Sequence, residues 1–332
     1  MSLTIGLCGC GNKQTNPSEN SPEITTDEAF PKTLQDQMGR IVTIEKEPES
    51  IVSGYYISTS ALIALGQDEK LVGIENDADK RSVYSLSNPA IVKLPSLGTV
   101  KEFDLEECMT LNPDLVVIPT KLAGIIPTLE ELGITVIVVN PENEVLQNEM
   151  IELLGDATGS EEIAQSINRY KNDQMAIIKK LIENEEKPRV YLAGNHSILS
   201  TSGPQMYQHC LIENAGGSNV ALELSDTYWA EVSYEQLLTW NPEYIIIAAD
   251  ANYDVEDVLE NKNIASCDAI KNKKVYKIPN VTEPLDSPVP GSFLGTLYIA
   301  NILHPEQYEE SSFEDTFKEF YEKYYHFTIE LD

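Results

Sequence analysis

The chain states one motif twice. Residues 104–118 read DLEECMTLNPDLVVI and residues 233–247 read SYEQLLTWNPEYIII. At a constant offset of 129 residues, Glu106 matches Glu235, Thr110 matches Thr239, and Asn112-Pro113 matches Asn241-Pro242. Each copy runs from a helix cap through a short helix and an Asn-Pro break into an apolar strand. A solenoid would repeat every ~20–50 residues, so this longer spacing has another meaning. It predicts two similar α/β lobes, and two facing lobes make a cleft.

The rest of the chain extends that reading. A small hairpin is expected over 35–44, with strands over 51–53, 71–74, 115–118 and 135–139. Helices over 58–65 and 127–132 end at Gly66 and Gly133, where glycine can terminate a helix. Strands 189–193, 244–248 and 275–278 follow in the second half, with closing helices over 294–303 and 313–325. Strands alternating with short helices imply mostly parallel sheets with crossover helices. Between the motif copies, Ile163, Ile167, Tyr170, Gln174, Ile177 and Leu181 step by three or four along residues 161–186. A helix of that length reaches ~39 Å, enough to bridge two lobes. The expected organisation is a tether over 1–29, a first lobe over 30–158, a connecting helix over 159–187 and a second lobe over 188–332.

Composition removes several function classes. The formal net charge is −31, from 54 acidic and 23 basic residues. Phosphate backbones need a positive footprint, so nucleic acid is not an expected partner. No run of 18 apolar residues exists that could span a membrane. G-x-S-x-G, the Walker loop, H-E-x-x-H and a G-x-G-x-x-G after a strand are all missing, so no enzyme is expected. The cysteines form no C-x-x-C pair and no zinc spacing, so no metal site is expected. Cys108 reads as a small buried hydrophobe, and Cys210 with Cys267 are candidates for a disulfide if the fold joins them. Asp250-x-Asn252-x-Asp254 reads as a helix cap, because Val255 and Asn261 stand where a calcium loop needs Gly and Glu.

The first residues resemble a processing site. Leu7-Cys8-Gly9-Cys10 is similar to a bacterial lipobox, followed by a polar, Pro/Ser-rich tether. The basic start and most of the apolar core of a secretory signal are missing. Cys10 is the expected lipidation site, which anchors a protein to a membrane without spanning it.

In open parallel sheets, ligands meet the loops at the carboxyl ends of the strands. That rule selects Tyr55, Tyr56, Asp77, Thr120, Lys121 and Asn140 in the first lobe. In the second it selects Asn195, His196, Ser197 and residues 250–252. The loops just ahead of each motif copy, 98–101 and 226–229, join them. A tyrosine there can stack, donate a hydrogen bond or ligate iron, or else pack inward. Lys101 and Lys121 can neutralise an anionic ligand, or can simply be solvated. His196 can bind haem iron or an anion, or can bond nearby backbone. Trp229 lies in a polar loop and suits stacking on a large ligand. His209, His304 and His326 read as structural.

Further runs carry a family resemblance. Residues 38–44 (MGRIVTI), 47–53 (EPESIVS), 64–66 (ALG) and 70–73 (KLVG) come in order, then 94–98 (LPSLG), both motif copies, Asp286-Ser287-Pro288 and Leu294-Gly295. Together they resemble the substrate-binding lipoproteins of iron-siderophore, haem and cobalamin ABC importers, over roughly residues 33–325. The resemblance implies two Rossmann-like lobes joined by one long helix, with ligand between them and limited hinge motion. It implies a monomer outside the cell membrane, holding a small-molecule metal complex and no cofactor of its own. The expected cargo is an iron complex, a ferric siderophore or haem; a corrinoid or an oxyanion such as molybdate is the alternative. Asp286 joins the ligand-facing residues on this basis, and Trp229 matches an aromatic of the cobalamin binders. Docking on a permease dimer is implied through a surface Glu on each lobe. Glu235 fills that place in the second lobe. In the first the equivalent position falls at Ser60, with Asp68 or Glu69 as substitutes. Leu285 replaces an aromatic usual before the Asp-Ser-Pro.

Overall fold

Both copies of the motif fold alike in the computed structural model, which describes Met1, residues 30–224 and residues 229–331. Asp104 and Ser233 cap the two helices, each side chain accepting a hydrogen bond from the amide three residues on. Both helices then end on an asparagine with φ of 43°, Asn112 and Asn241. Asparagine tolerates this left-handed geometry better than most residues, and the proline that follows prevents the helix from resuming. Within each helix the threonine hydroxyl donates back to a glutamate carbonyl, Thr110 to Glu106 and Thr239 to Glu235.

The first lobe contains β1 (Lys32–Gln35), β2 (Ile41–Ile44), β3 (Ile51–Ser53), α1 (Tyr56–Ala64), β4 (Leu71–Gly73) and α2 (Ser82–Ser87). It continues with α3 (Leu105–Leu111), β5 (Leu115–Pro119), α4 (Ile126–Glu131), β6 (Thr135–Val139) and α5 (Glu144–Thr158). Helix α6 (Glu161–Leu181) then leads to the second lobe. There β7 (Arg189–Ala193), β8 (Ser200–Ser202), α7 (Tyr207–Asn214), β9 (Ser218–Asn219), β10 (Trp229–Glu231) and α8 (Tyr234–Trp240) follow in turn. The chain ends with β11 (Tyr244–Ile247), α9 (Val255–Leu259), α10 (Asp268–Lys271), β12 (Val275–Lys277), α11 (Phe293–Leu303) and α12 (Glu310–Tyr325).

The two main sheets are wholly parallel, in the orders β4-β3-β5-β6 and β9-β7-β11-β12. Counted from its own first strand, each lobe has the same 2-1-3-4 order, and the repeated motif supplies the third strand of both. Strands β5 and β11 are buried along their whole length, as covered parallel strands are. The expected hairpin is β1–β2, beginning three residues earlier than the sequence indicates. A second antiparallel ribbon, β8–β10, sets Trp229 opposite Ser202.

Helix α6 is 21 residues long, shorter than expected, and its buried stripe keeps Ile167 but otherwise differs from the expected one. Ile163, Ile177 and Leu181 are exposed, while Ala164, Ile167, Asn168, Lys171 and Ile178 face inward. Two polar residues thus occupy core positions. Among the described residues no helix is long and apolar enough to cross a membrane.

A second connection runs back across the lobes. After β12, the strap over 279–289 returns to the first lobe: the Val83 amide donates to the Thr282 carbonyl at 3.0 Å, and Ser60 Oγ donates to the Glu283 carboxylate. Helix α12 covers the same ground, with Tyr325 Oη 2.8 Å from Ser60 Oγ and Tyr324 Oη 2.9 Å from Ser166 Oγ. Cys210 and Cys267 remain free thiols, so no disulfide joins them. Cys108 is fully buried, which pushes its thiol up to about 11.

Candidate functional site between the lobes

The carboxyl ends of the two sheets meet around Tyr56. Strand β3 delivers Tyr55 and Tyr56 to the start of α1, their rings edge to face with centroids 5.3 Å apart. The Tyr56 hydroxyl donates to Ser287 Oγ at 3.0 Å, across the lobe boundary. Burial pushes this phenol up to about 12, so it is a neutral donor near neutral pH. Burial raises Tyr55 further.

Two charged groups flank the pair. Asp286 is buried on the strap and accepts a hydrogen bond from the Ala249 amide, just past β11, at 3.3 Å. Burial lifts its carboxyl to about 7, partly offset by that amide. Arg81 lies over the Tyr56 ring, its guanidinium carbon 4.0 Å from the centroid. Its Nε stands 3.8 Å from Glu75 Oε1, too far for a hydrogen bond. Glu75 itself is held by the hydroxyls of Thr59 at 2.6 Å and Tyr84 at 2.7 Å. Among the described residues the guanidinium makes no hydrogen bond, although its Nε is buried. Arg81 was missed by the sequence reading. It sits at the carboxyl end of β4, four residues past Asp77, so the same loop rule reaches it when the whole turn is followed.

In the second lobe the equivalent place belongs to Trp229. Its ring lies against Gly194, at the carboxyl end of β7; a Cβ on Gly194 would come 2.8 Å from Cζ3. Only glycine leaves room for that approach. The Tyr253 hydroxyl fixes the same turn by donating to the Gly194 carbonyl at 2.7 Å. Trp229 remains 39% exposed, so part of its large aromatic surface is accessible to a partner.

The remaining expected residues are more dispersed. His196, Lys101 and Lys121 are exposed on their loops. Thr120 donates to Asn140 Oδ1 at 3.3 Å, and Asp77 pairs with Lys80 at 2.8 Å. Asp250 accepts from Asn280 at 2.7 Å, and Asp254 forms a capping box with Asp257 on α9. His304 is buried near the Gly216 carbonyl. Cys10 and residues 226–228 lie outside the described residues, and among those described no group of ligating side chains could hold a metal ion.

The docking positions divide. Glu235 is exposed in the first turn of α8, where its own amide and Ser233 hold its carboxyl below the usual range. Ser60, by contrast, is 1% exposed, bonded to Glu283 and Tyr325. A residue there cannot touch a transporter, so the implied first-lobe docking position at Ser60 is wrong. It fails because the middle of α1 is roofed by the strap and α12, which no local pattern reveals.

Two like α/β lobes whose sheets meet at their carboxyl ends have the architecture of a solute-binding protein. Residues 51–282 match the family described as periplasmic binding protein, and the chain belongs to that family. It is 27% identical over 328 residues to the uncharacterized ABC transporter substrate-binding lipoprotein YvrC of Bacillus subtilis, covering 95% of each chain. It is 24% identical over 293 residues to a cobalamin-binding protein of Halobacterium salinarum, covering 83% of this chain and 75% of that one. Its fold is similar to that of the molybdate-binding protein MolA of Haemophilus influenzae bound to molybdate. That likeness has a TM-score of 0.78 at 20% identity, over 91% of this chain and 100% of MolA. The family comprises substrate-binding transport proteins, not enzymes.

Proposed function

We propose that this protein is the extracytoplasmic, lipid-anchored receptor of an ABC importer, and that its cargo is a metal complex of a large planar macrocycle. Haem is the iron form of that cargo and a corrinoid the cobalt form. The observation that carries this reading is the half-exposed indole of Trp229 on one lobe and the Tyr55/Tyr56 pair at the equivalent place on the other. Aromatic faces suit a flat, polarisable ligand. A strongly anionic ferric siderophore fits less well, because Glu75 stands beside Arg81 and Asp286 and Asp250 act on the same Tyr56. Arg81 would take an acidic substituent of the ligand, with Lys101, Lys121 and His196 at the rim. Tyr56 could ligate ferric iron after losing its proton, which the metal would favour. Delivery is proposed as a monomer docking on the permease through Glu235, with Cys10 carrying the lipid.

Titration with haemin, hydroxocobalamin, a ferric catecholate and molybdate tests the reading. A shifted Soret or corrin band with quenching of tryptophan fluorescence is expected. Binding of molybdate alone would instead favour an oxyanion held by Arg81, and binding of the catecholate alone would favour a siderophore. Either result overturns the macrocycle.

A pH dependence should accompany binding. Asp286 is neutral below about 7 and charged above it. An acidic ligand should therefore bind more tightly as the pH falls through 7, and Asp286→Asn should remove that slope. An unchanged slope in the variant would take Asp286 out of the cleft floor.

A further inference from the structure

The connecting helix carries a buried lysine with no carboxylate bonded to it. Lys171 is 2% exposed, and its Nζ donates to Gln147 Oε1 and, at 2.9 Å, to Asn148 Oδ1, both on α5. Gln147 is fully buried and completes its bonding across the lobes. Its Nε2 donates to the Val289 carbonyl and to Ser292 Oγ, and Tyr207 Oη lies 3.4 Å from its Oε1. One amide thus ties α5 of the first lobe, α6, the end of the strap and α7 of the second lobe.

Beside this joint is a small cavity with room for a water-sized group, lined in part by Lys171, Glu144, Tyr207, Cys210 and Asn214. Glu144, at the start of α5, accepts a hydrogen bond from Asn214 Nδ2 on α7 at 3.0 Å. This is a tether between the lobes. The ionisable groups around the cavity are Lys171 on α6, Glu144 on α5, and Tyr207 and Cys210 on α7; α11 contributes only Phe293 and Thr296.

A neutral amine has two N–H groups, and two acceptors are present. An ammonium has a third, and among the described residues Glu144 is the one carboxylate lining the cavity. We propose that Lys171 and Glu144 form a proton-operated latch between the lobes. With Lys171 neutral, Glu144 stays on Asn214 and the tether is closed. When Lys171 takes up a proton, the carboxylate turns into the cavity to meet it and releases Asn214. One of the ties between α5 and α7 is then lost, which loosens the joint beside α6. Burial holds the lysine down to about 7, with Glu144 opposing, so the change falls within the range such a protein meets. The latch is independent of ligand identity.

Two measurements on the whole, ligand-free chain test it. In protein labelled with ¹³Cε-lysine, one resonance should titrate far below the others and vanish in Lys171→Met. Hydrogen exchange, corrected for its intrinsic pH dependence, should rise about tenfold in residues 140–150 and 207–216 as the pH falls through 7, the expected effect of losing one charged hydrogen bond. Lys171→Met should abolish that rise. Asn214→Ala, which leaves the lysine intact, should show the fast exchange at every pH. A lysine resonance that titrates with the rest overturns the latch. So does a rise that persists in Lys171→Met, or Asn214→Ala exchange that still responds to pH. If Lys171→Met does not fold, the Asn214→Ala profile and the wild-type resonance decide alone.

Discussion

Replacing Trp229 with alanine is expected to weaken binding of the macrocycle by more than about tenfold while leaving the fold intact. Loss of an indole face removes roughly 2 kcal/mol of apolar contact and stacking, and about 1.4 kcal/mol already corresponds to a factor of ten. The fold should tolerate the change because the ring is 39% exposed and lies against Gly194 on a short two-stranded ribbon. Fluorescence or absorbance titration with haemin or hydroxocobalamin, whichever binds, reads the affinity, and a thermal melt reads the fold. Unchanged affinity would remove Trp229 from the site and, with it, the main support for a planar cargo. Gly194 explains why the ring stands where it does: any larger residue would push the indole off the end of β7.

Glu283→Ala should be the most destabilising single change at the lobe junction, by about 3–5 kcal/mol in chemical denaturation. The Glu283 carboxylate is 2% exposed and accepts from Ser60, from Tyr321 at 3.0 Å and from Tyr325 at 3.4 Å. Its removal takes an acceptor from three buried hydroxyls, leaving Ser60 and Tyr325 only each other, and opens a cavity. Glu283→Gln keeps the shape and should cost less. The pair also differ in pH response. Burial raises the Glu283 carboxyl to about 6 from 4.5, the three hydroxyls opposing. The folded state therefore binds this proton more tightly than the unfolded one. Stability attributable to Glu283 is greatest below about 4.5 and declines by about 2 kcal/mol as the pH rises to about 6. Asp286 contributes a decline of the same sign, but it is present in both proteins, so the difference between wild type and Glu283→Gln isolates Glu283. Parallel pH profiles for the two would refute the assignment.

The two lobes, their parallel sheets and the equivalence of β5 with β11 could be read from the chain, because the repeated motif carries its own caps and breaks. The placement of Tyr55 and Tyr56 at the end of a strand was also legible, since the end of a strand is a local feature. What escaped has one physical cause. Helix α5 buries Gln147 while leaving Val145 exposed, and α6 buries Asn168 and Lys171 while leaving Ile177 exposed. Polar residues at core positions blur the 3.6-residue period on which helix reading depends. They sit there because these helices pack against each other and against the second lobe, where a polar joint is required. Ser60 misled for the related reason that its cover arrives from residues 283 and 325. Arg81 was passed over because its place depends on the turn between β4 and α2.

That late cover has a bearing on how the chain is assembled. The buried side of α1 is completed by Glu283, Tyr321 and Tyr325, which are made after every strand and helix of the first lobe. The first lobe is therefore unfinished when its own strands and helices have all been synthesised, and α1 keeps an unroofed polar hydroxyl until the strap and α12 arrive. Removal of α12 should then be felt in the first lobe, and a nascent chain would remain pliable there until α12 is in place.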